Sequence, residues 1–133
     1  MKHVLVVEDD VHNAVLFTKL LSKRVGCRIT LSESAEEILA LATGGDVDLV
    51  IMDVSLGNTL YDGRPISGVD LTRMIKADPR SVGVPVILAT AHAMRGDAEK
   101  LLAQSGADDY VSKPILDHGA FVEQVRGMLE EVA

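Results

Sequence analysis

Five side chains that can carry chemistry stand at the ends of segments with strand-forming sequences: Glu8, Asp9, Asp53, Thr90 and Lys113. Three of them are carboxylates, which repel one another unless a cation lies among them. Oxygen ligands without His or Cys suit Mg²⁺, an ion that keeps several waters and shares its sites with phosphate oxygens. One hydroxyl and one ammonium group complete the set. The residues together predict a site for Mg²⁺ and a phosphoryl group.

Each of these residues also has an ordinary structural explanation. Acidic residues often cap the helix that follows a strand, so Asp9 or its neighbour Asp10 could serve only as an N-cap. Asp53 could be a cap or a turn residue, and Lys113, before Pro114, could be a solvated cation in a loop. All of them fall at the same edge of one inferred sheet, however, and that coincidence favours a functional site.

Such a site requires strands that end side by side. Strand-like and helix-like segments alternate five times along the chain, a pattern typical of βα units and a parallel sheet. The predicted strands are His3–Glu8, Cys27–Ser32, Val47–Asp53, Val84–Thr90 and Asp108–Ser112. The predicted helices are Val11–Val25, Ala35–Thr43, Gly68–Ala77, Met94–Ser105 and Gly119–Glu131.

The apolar pattern also predicts the place of each strand in the sheet. Val4–Val7, Leu49–Met52 and Val86–Ala89 are continuously apolar, as parallel strands covered on both faces are. The second strand alternates and the fifth is short and polar, so both are predicted to be edges. With right-handed crossovers, this predicts an α/β fold with a five-stranded doubly wound sheet in the order 2-1-3-4-5. Ligands of such sheets bind outside the carboxyl ends of the strands, beside the switch point between the first and third strands.

Local signals predict the helix boundaries. Ser34 and Glu37 fit a capping box at the start of the second helix. Asp78 precedes Pro79 and ends the third helix, because the residue before a proline avoids the helical conformation. The predicted C-caps are Gly26, Gly44 and Gly106. An apolar stripe in the last helix is predicted to face the core, and it consists of Phe121, Val125, Met128 and Val132.

Length and composition exclude several classes of protein. A chain of 133 residues, 47% hydrophobic and 25% charged, has the size and composition of one globular domain. The longest apolar runs stop far short of the roughly 18 residues that suggest a membrane span, and the N-terminus lacks the apolar stretch of a signal peptide. We therefore expect a soluble, cytoplasmic protein without a membrane partner. A net charge of -7 without a Lys/Arg cluster argues against nucleic acid as a partner.

The single cysteine, Cys27, cannot form an internal disulfide. It alternates with polar neighbours at the start of the second predicted strand, and no motif surrounds it. We predict a buried structural thiol.

Four segments resemble the signature motifs of the receiver domains of two-component response regulators: Val4–Asp10, Leu49–Asp53, Val86–Ala91 and Tyr110–Pro114. They stand in the family's order and span nearly the whole chain. The resemblance implies a single receiver domain over residues 1–133 with a flavodoxin-like (βα)5 fold. Chemotaxis members of the family share the order 2-1-3-4-5, so the predicted topology and the resemblance are not independent of each other. The stretch 92–97 also resembles receivers of the cell-cycle regulator kind.

The resemblance implies a role for each residue of the site. Asp53 would accept a phosphoryl group from a sensor histidine kinase or a histidine phosphotransfer protein. Carboxylate nucleophiles act by covalent catalysis, with the metal neutralising charge on the transferring group. Glu8, Asp9, Asp53 and the backbone carbonyl of Ser55 would hold Mg²⁺, and Lys113 would pair with a phosphoryl oxygen. The family is not enzymatic in the usual sense, although self-phosphorylation from small phosphodonors and autodephosphorylation are expected.

The resemblance also implies a switch. Thr90 would move its hydroxyl towards the phosphoryl group while Tyr110 turns inward, and a downstream protein would read the face of the fourth helix, fifth strand and fifth helix. Phosphorylation biases such a two-state equilibrium only through its different interactions with the two states. Lys113-Pro114 resembles the family's cis peptide bond. Ser55 and His92 match variable positions that tune the lifetime of the phosphorylated state.

The stretch 57–67, which separates Asp53 from the helix-opening Gly68, departs from the family pattern. It is about half a dozen residues longer than usual for the family, and Gly57, Asn58 and Gly63 are turn formers. A flexible lid beside the site and a harmless surface insertion both fit this composition.

Other functions share parts of this pattern. A flavodoxin-like flavin carrier needs a phosphate loop rich in Gly, Ser and Thr, whereas Glu8, Asp9 and Asp10 would repel the phosphate. A haloacid-dehalogenase-like phosphatase usually has a second acid where this chain has Ser55. A receiver detached from a hybrid kinase would look the same. If the chain is complete, no output domain follows and the output is protein contact, with homodimerisation through the switch face as an alternative.

Overall fold

The computed structural model describes residues 1–57, 59–91 and 96–131, and within these ranges it has strands and helices in alternation. The strands are β1 His3–Val7, β2 Arg28–Leu31, β3 Leu49–Asp53, β4 Leu60–Tyr61, β5 Arg64–Pro65, β6 Val86–Thr90 and β7 Asp109–Ser112. The helices are α1 Val11–Leu20, α2 Ala35–Thr43, α3 Gly68–Ala77, α4 Asp97–Ser105 and α5 His118–Glu131. None of them has the length and apolar character that a membrane crossing needs.

Five of these strands form one parallel sheet in the order β2-β1-β3-β6-β7. Since β4 and β5 form a separate hairpin, this is the predicted order 2-1-3-4-5, and the fold class is confirmed. The inner strands β1, β3 and β6 are buried at every residue, while β2 and β7 are partly exposed as edge strands are. The register pairs Asp53 with Ala89 and Thr90 with Ser112, so the carboxyl ends of three neighbouring strands lie level.

Two apolar layers cover the two faces of the sheet. On one face Phe17 of α1 and Phe121 of α5 pack together over β1 and β3, with ring centroids 5.5 Å apart. On the other face Ile38 of α2 and Leu71 of α3 are fully buried against alternate residues of the same strands. The predicted stripe of α5 faces the core at Phe121 and Val125, and Met128 packs beside it; Val132 lies outside the described residues.

The ends of the helices follow local chemistry. α1 begins at Asp10, whose Oδ1 accepts a hydrogen bond from the Asn13 amide at 3.1 Å. A π-helical turn, 21–25, continues directly from α1 and ends at Gly26, which has a left-handed φ of 78°. The predicted extent of this helix is confirmed, but the prediction of one continuous α-helix is wrong over that turn. A π-helical turn bonds residue i to i+5 rather than i+4, and five residues are too few for the apolar pattern to distinguish the two.

The other predicted caps have mixed outcomes. Gly106 is a left-handed C-cap, whereas Gly44 caps α2 in a right-handed conformation. Ser34 accepts a hydrogen bond from the Glu37 amide at 3.3 Å, so the N-cap is confirmed, but the predicted capping box is incomplete because the Ser34 amide donates to Oγ of Ser32 and not to Glu37. The predicted start of the fourth helix at Met94 is wrong, because α4 begins at Asp97, after a Gly96 whose φ is 98°. Met94 itself lies outside the described residues.

Residues 59–66 form a short β-hairpin, which the sequence did not predict. β4 and β5 are antiparallel, and Asp62 and Gly63 in the turn between them have φ values of 53° and 78°. Two successive positive φ angles are typical of the type I′ turn that fits tight hairpins. The extra length of this loop is therefore regular structure.

Cys27 lies just before β2 and is buried, as predicted. Its Sγ lies 3.6 Å from the carbonyl oxygen of Leu21. Burial raises the pKa of the thiol, so the sulfur is held in its unreactive neutral form.

Candidate functional site

Three carboxylates meet at the carboxyl ends of β1 and β3. Glu8 and Asp9 directly follow β1, and Asp53 is the last residue of the adjacent strand β3. One oxygen from each of the three lies within 4.8 Å of the others. Glu8 and Asp53 are buried, while Asp9 is half-buried. The predicted convergence of the acidic residues is thus confirmed as geometry.

Lys113 supplies the positive charge in this cluster. Its Nζ lies 2.8 Å from Oδ1 of Asp53 and 3.1 Å from Oε2 of Glu8, and its side chain is only 11% exposed. Buried carboxylates are costly unless a cation and hydrogen bonds compensate for the loss of water. Lys113 therefore stabilises both anions, and it does so from the loop after the edge strand β7.

Backbone amides from three loop residues complete the hydrogen bonding. The Ser55 amide donates to Oδ1 of Asp53 at 3.2 Å, and the Asp10 amide donates to Oε1 of Glu8 at 3.2 Å. The Gly57 amide donates to Oδ2 of Asp9 at 2.9 Å. The sequence identifies Gly57 only as a turn former, because no local pattern indicates an amide that bonds a carboxylate 48 residues away.

The buried carboxylates are hard to ionise. Burial, assisted by the negative charge of Asp53, raises the pKa of Glu8 to about 7, against the opposing hydrogen bonds from Asp10 and Lys113. Burial also raises the pKa of Asp53, against the hydrogen bond from Lys113. Without a further cation, the cluster therefore holds negative charge at a cost in stability.

Asp9 and Lys113 shift the other way, towards their charged forms. The hydrogen bond from the Gly57 amide lowers the pKa of Asp9 and outweighs its partial burial. Burial alone would lower the pKa of Lys113, but the hydrogen bonds and charges of Asp53 and Glu8 outweigh it and raise that pKa. Both groups are accordingly ionised at neutral pH.

The shift of Glu8 predicts a pH dependence for Glu8→Gln. Between the unfolded value near 4.5 and the folded value of about 7, the native state holds a proton that the unfolded state has lost. The carboxyl group thus stabilises the fold at low pH and loses that contribution as the pH rises. In EDTA, Glu8→Gln should match the wild type near pH 4.5 and exceed it at pH 8, by on the order of 2 kcal/mol.

Urea unfolding of both proteins at several pH values measures this difference. Glu130→Gln, which removes an exposed carboxylate of α5, is the matched control and should show no such trend. A difference between Glu8→Gln and the wild type that does not grow with pH would contradict the assigned cause.

The donor set fits a hard divalent cation. The cluster presents carboxylate oxygens, and within the described chain it is the grouping of His, Cys, Asp or Glu that could hold an ion. Oxygen ligands of this kind suit Mg²⁺ better than transition metals. Ser55 contacts the cluster through its amide, and its backbone carbonyl is the ligand that the resemblance implies. The role of that carbonyl stays a prediction.

The remaining predicted residues are distributed around this cluster. Thr90, the last residue of β6, is 2% exposed, and its carbonyl accepts the Lys113 amide at 2.9 Å. Tyr110, on β7, is half-buried against the apolar layer that contains Leu88. Ser55 is exposed beside Asp53, which is compatible with its predicted role in the lifetime of the phosphorylated state. His92 lies outside the described residues.

Two backbone features lie beside the site. The bond between Lys113 and Pro114 is cis, as the resemblance implies. Gly68, the first residue of α3, packs directly against β3: a Cβ atom there would lie 1.9 Å from the carbonyl oxygen of Asp53. The residue that opens α3 can therefore only be glycine if the helix is to approach the end of β3 this closely.

Comparison with known proteins gives the same picture over almost the whole chain. The family model of the response regulator receiver domain matches residues 4–126. A polar-differentiation response regulator, DivK of Brucella ovis, is 35% identical over 128 residues, which cover 96% of each chain. The DivK protein of Brucella anthropi is 34% identical over the same coverage.

Solved structures agree with the family match. The receiver domain of the sensor histidine kinase PA1611 from Pseudomonas aeruginosa has a TM-score of 0.74 at 28% identity, covering 98% of this chain and 95% of that one. In that protein a magnesium ion is coordinated in the active site cleft. A CheY-like receiver protein from Methanospirillum hungatei, with a TM-score of 0.78 at 22% identity over 99% and 96% of the two chains, shows the fold alone. The comparisons favour neither the phosphatase nor the hybrid-kinase alternative.

Proposed function

The chain belongs to the response regulator receiver domains of two-component signalling, and from that premise we propose that Asp53 is its phosphoacceptor. The observation that carries the proposal is the ion pair of 2.8 Å between the buried Asp53 carboxylate and Lys113, inside a cluster of three acids. Asp53 is the member of that cluster at the end of the central strand β3, where the sheet register pairs it with Ala89, the residue before Thr90 of β6.

The proposed chemistry is a transfer between two nucleophiles. An oxygen of the Asp53 carboxylate forms a bond to phosphorus while the N–P bond of a phosphohistidine breaks, and the bonding electron pair returns to the imidazole. Asp53 must be ionised to attack, and Lys113 stabilises that ionised form through its contact of 2.8 Å. After transfer, the same ammonium group is in place to pair with a phosphoryl oxygen.

Mg²⁺ is the cofactor that we assign to the site. Glu8, Asp9, Asp53 and the carbonyl of Ser55 would hold it, and it would neutralise charge on the transferring phosphoryl group. The chain's own residues do the rest: the amides of Ser55 and Gly57 orient Asp53 and Asp9, and burial of Glu8 and Asp53 limits the access of water.

The switch and the partners belong to the same proposal. Thr90 and Tyr110 would respond to phosphorylation of Asp53, and the face formed by α4, β7 and α5 would bind a downstream protein, or a second copy of the chain. The phosphodonor is a sensor histidine kinase or a histidine phosphotransfer protein.

Ser55 and His92 would tune autodephosphorylation, and a small phosphodonor such as acetyl phosphate would replace the protein donor. The proposal is tested by the mass of the intact protein after exposure to acetyl phosphate.

A second prediction concerns the metal alone. Mg²⁺ is expected to bind the folded cluster and not the unfolded chain, so it should raise the melting temperature of the wild type. The gain in the free energy of unfolding is RT ln(1 + [L]/Kd), where [L] is the concentration of free Mg²⁺. At ten times the dissociation constant the gain is about 1.4 kcal/mol, or roughly 4–6 °C for a domain of this size. Differential scanning calorimetry in MgCl₂ and in EDTA measures it.

The control for this prediction separates binding from screening. KCl at the same ionic strength weakens the repulsion among the acids but does not coordinate them, so it should give a smaller shift. Asp9→Asn should lose most of the response to Mg²⁺. A shift that KCl reproduces in full would remove the metal from the proposal.

A further inference from the structure

The segment 54–57 after β3 carries the predicted carbonyl ligand, and hydrogen bonds hold its first residue. At its start, the Val54 amide donates to the Ala89 carbonyl at 3.0 Å, and the Val54 carbonyl accepts the Gly68 amide at 3.1 Å. These bonds continue the sheet and dock α3. The segment 54–57 therefore leaves β3 in a defined direction.

A second anchor lies at Thr59, two residues beyond this segment. Its side chain is buried, although the residue lies in a surface loop, and its Oγ1 donates to the carbonyl oxygen of Glu33 at 3.0 Å. Glu33 belongs to the turn between β2 and α2, so this bond joins two loops at the carboxyl edge of the sheet. The Thr59 carbonyl also accepts the Ile66 amide at 3.0 Å, which closes the hairpin behind it.

Between these two anchors, the loop bonds the acidic cluster directly. Ser55 and Gly57 donate their amides to Asp53 and Asp9 at 3.2 and 2.9 Å. Thr59, at the start of the hairpin, connects this loop to the turn between β2 and α2 through its bond to Glu33.

We propose that Thr59 is a positioning residue for the Mg²⁺ site: its hydroxyl bond to Glu33 holds the segment 54–57 so that the amides of Ser55 and Gly57 stay at the cluster. The inference rests on the proposed function, because it assumes that the cluster binds Mg²⁺. Thr59 touches neither the ion nor the acids and acts only through the loop.

The physical reason is the entropy of the loop. Binding of an ion requires the segment to be ordered, and an anchor already present in the free protein removes part of that cost. Thr59→Val keeps the branched side chain and nearly the same volume but removes the donor. Because the free Thr59→Val protein no longer holds the segment in order, binding must also order it, and the Mg²⁺ affinity should fall about three- to tenfold.

Isothermal titration of the full chain with MgCl₂ tests the proposal. Thr59→Ser retains the hydroxyl and should bind Mg²⁺ like the wild type, whereas Thr59→Val should bind more weakly. Thr43→Val is the matched control: Thr43 Oγ1 donates to the Leu39 carbonyl at 2.8 Å at the end of α2, and Thr43 is not part of the 54–57 loop or the acidic cluster. This variant should lose stability without losing affinity. Thr59→Ala serves the same comparison if Thr59→Val does not fold.

The outcomes separate the two proposals. Equal Mg²⁺ affinity in wild type and Thr59→Val overturns the role of Thr59 and leaves the metal site standing. Weaker binding in Thr59→Ser as well would mean that the methyl group, not the hydroxyl, matters, and this also overturns it. Absence of Mg²⁺ binding in the wild type would overturn the metal site and the role of Thr59 together.

Discussion

Incubation with acetyl phosphate and Mg²⁺ should raise the mass of the intact protein by one phosphoryl group, and Asp53→Asn should abolish the adduct. Asp53 is the nucleophile in the proposed transfer, and an amide oxygen cannot form the acyl phosphate. EDTA should suppress the adduct in the wild type, because three acids and one lysine leave the site net negative and unfavourable for an incoming phosphate. The expected effect of either change is loss of the signal rather than a reduction.

A charge-matched control excludes indirect causes. Asp62→Asn removes one carboxylate from the exposed turn of the hairpin, where asparagine tolerates the positive φ of 53°. This variant should form the adduct like the wild type. Peptide mapping should place the phosphoryl group on Asp53. An adduct that persists in Asp53→Asn would move the acceptor to another residue, and a wild type that stays unmodified with Mg²⁺ would refute the phosphoacceptor role.

The site could be predicted from the sequence because it depends on where strands end. Apolar runs such as Leu49–Met52 identify buried parallel strands, and the residue after each run then lies at one edge of the sheet. This reasoning brings Lys113 to Glu8 across 105 positions of sequence, and the structure confirms it with contacts of 3.1 and 3.2 Å.

The hairpin could not be predicted in the same way. β4 and β5 have two residues each, too few to show the alternation that identifies a strand. Asp62-Gly63 was a local signal for a tight hairpin turn, but it lacked flanking strand patterns that would have given it weight. The bond from Thr59 to Glu33 links residues 26 apart through a side chain and a carbonyl, and it has no sequence signature at all.

The sequence indicated that the acids would affect one another's ionisation, but not how each pKa would shift. The clustered acids were expected to repel one another, and the charge of Asp53 does help to raise the pKa of Glu8, but burial is the larger cause for Glu8 and the main cause for Asp53. Asp9 differs, because the Gly57 amide lowers its pKa. That difference depends on the path of a loop, which composition does not determine.

Gly68→Ala should strongly destabilise the fold. A Cβ at this position would lie 1.9 Å from the carbonyl oxygen of Asp53, 2.8 Å from its carbonyl carbon and 3.0 Å from Cγ of Met52. Two of these three atoms are backbone at the end of the central strand, so neither a rotamer change nor a small shift relieves the clash. We expect a loss of about 3 kcal/mol or more in the free energy of unfolding.

Gly127→Ala is the matched control, since it adds the same methyl group inside α5 with no heavy atom within 4 Å. Alanine is favoured over glycine in a helix interior by about 1 kcal/mol, so this variant should be more stable than the wild type. Urea unfolding of the three proteins measures both effects. Because α3 meets β3 at the proposed acceptor, Asp53, Gly68→Ala should also slow phosphorylation by acetyl phosphate at temperatures where it remains folded. A Gly68→Ala protein as stable as the wild type would mean that α3 does not approach the carboxyl end of β3 as closely as 1.9 Å requires, and the positioning of Asp53 would then need another explanation.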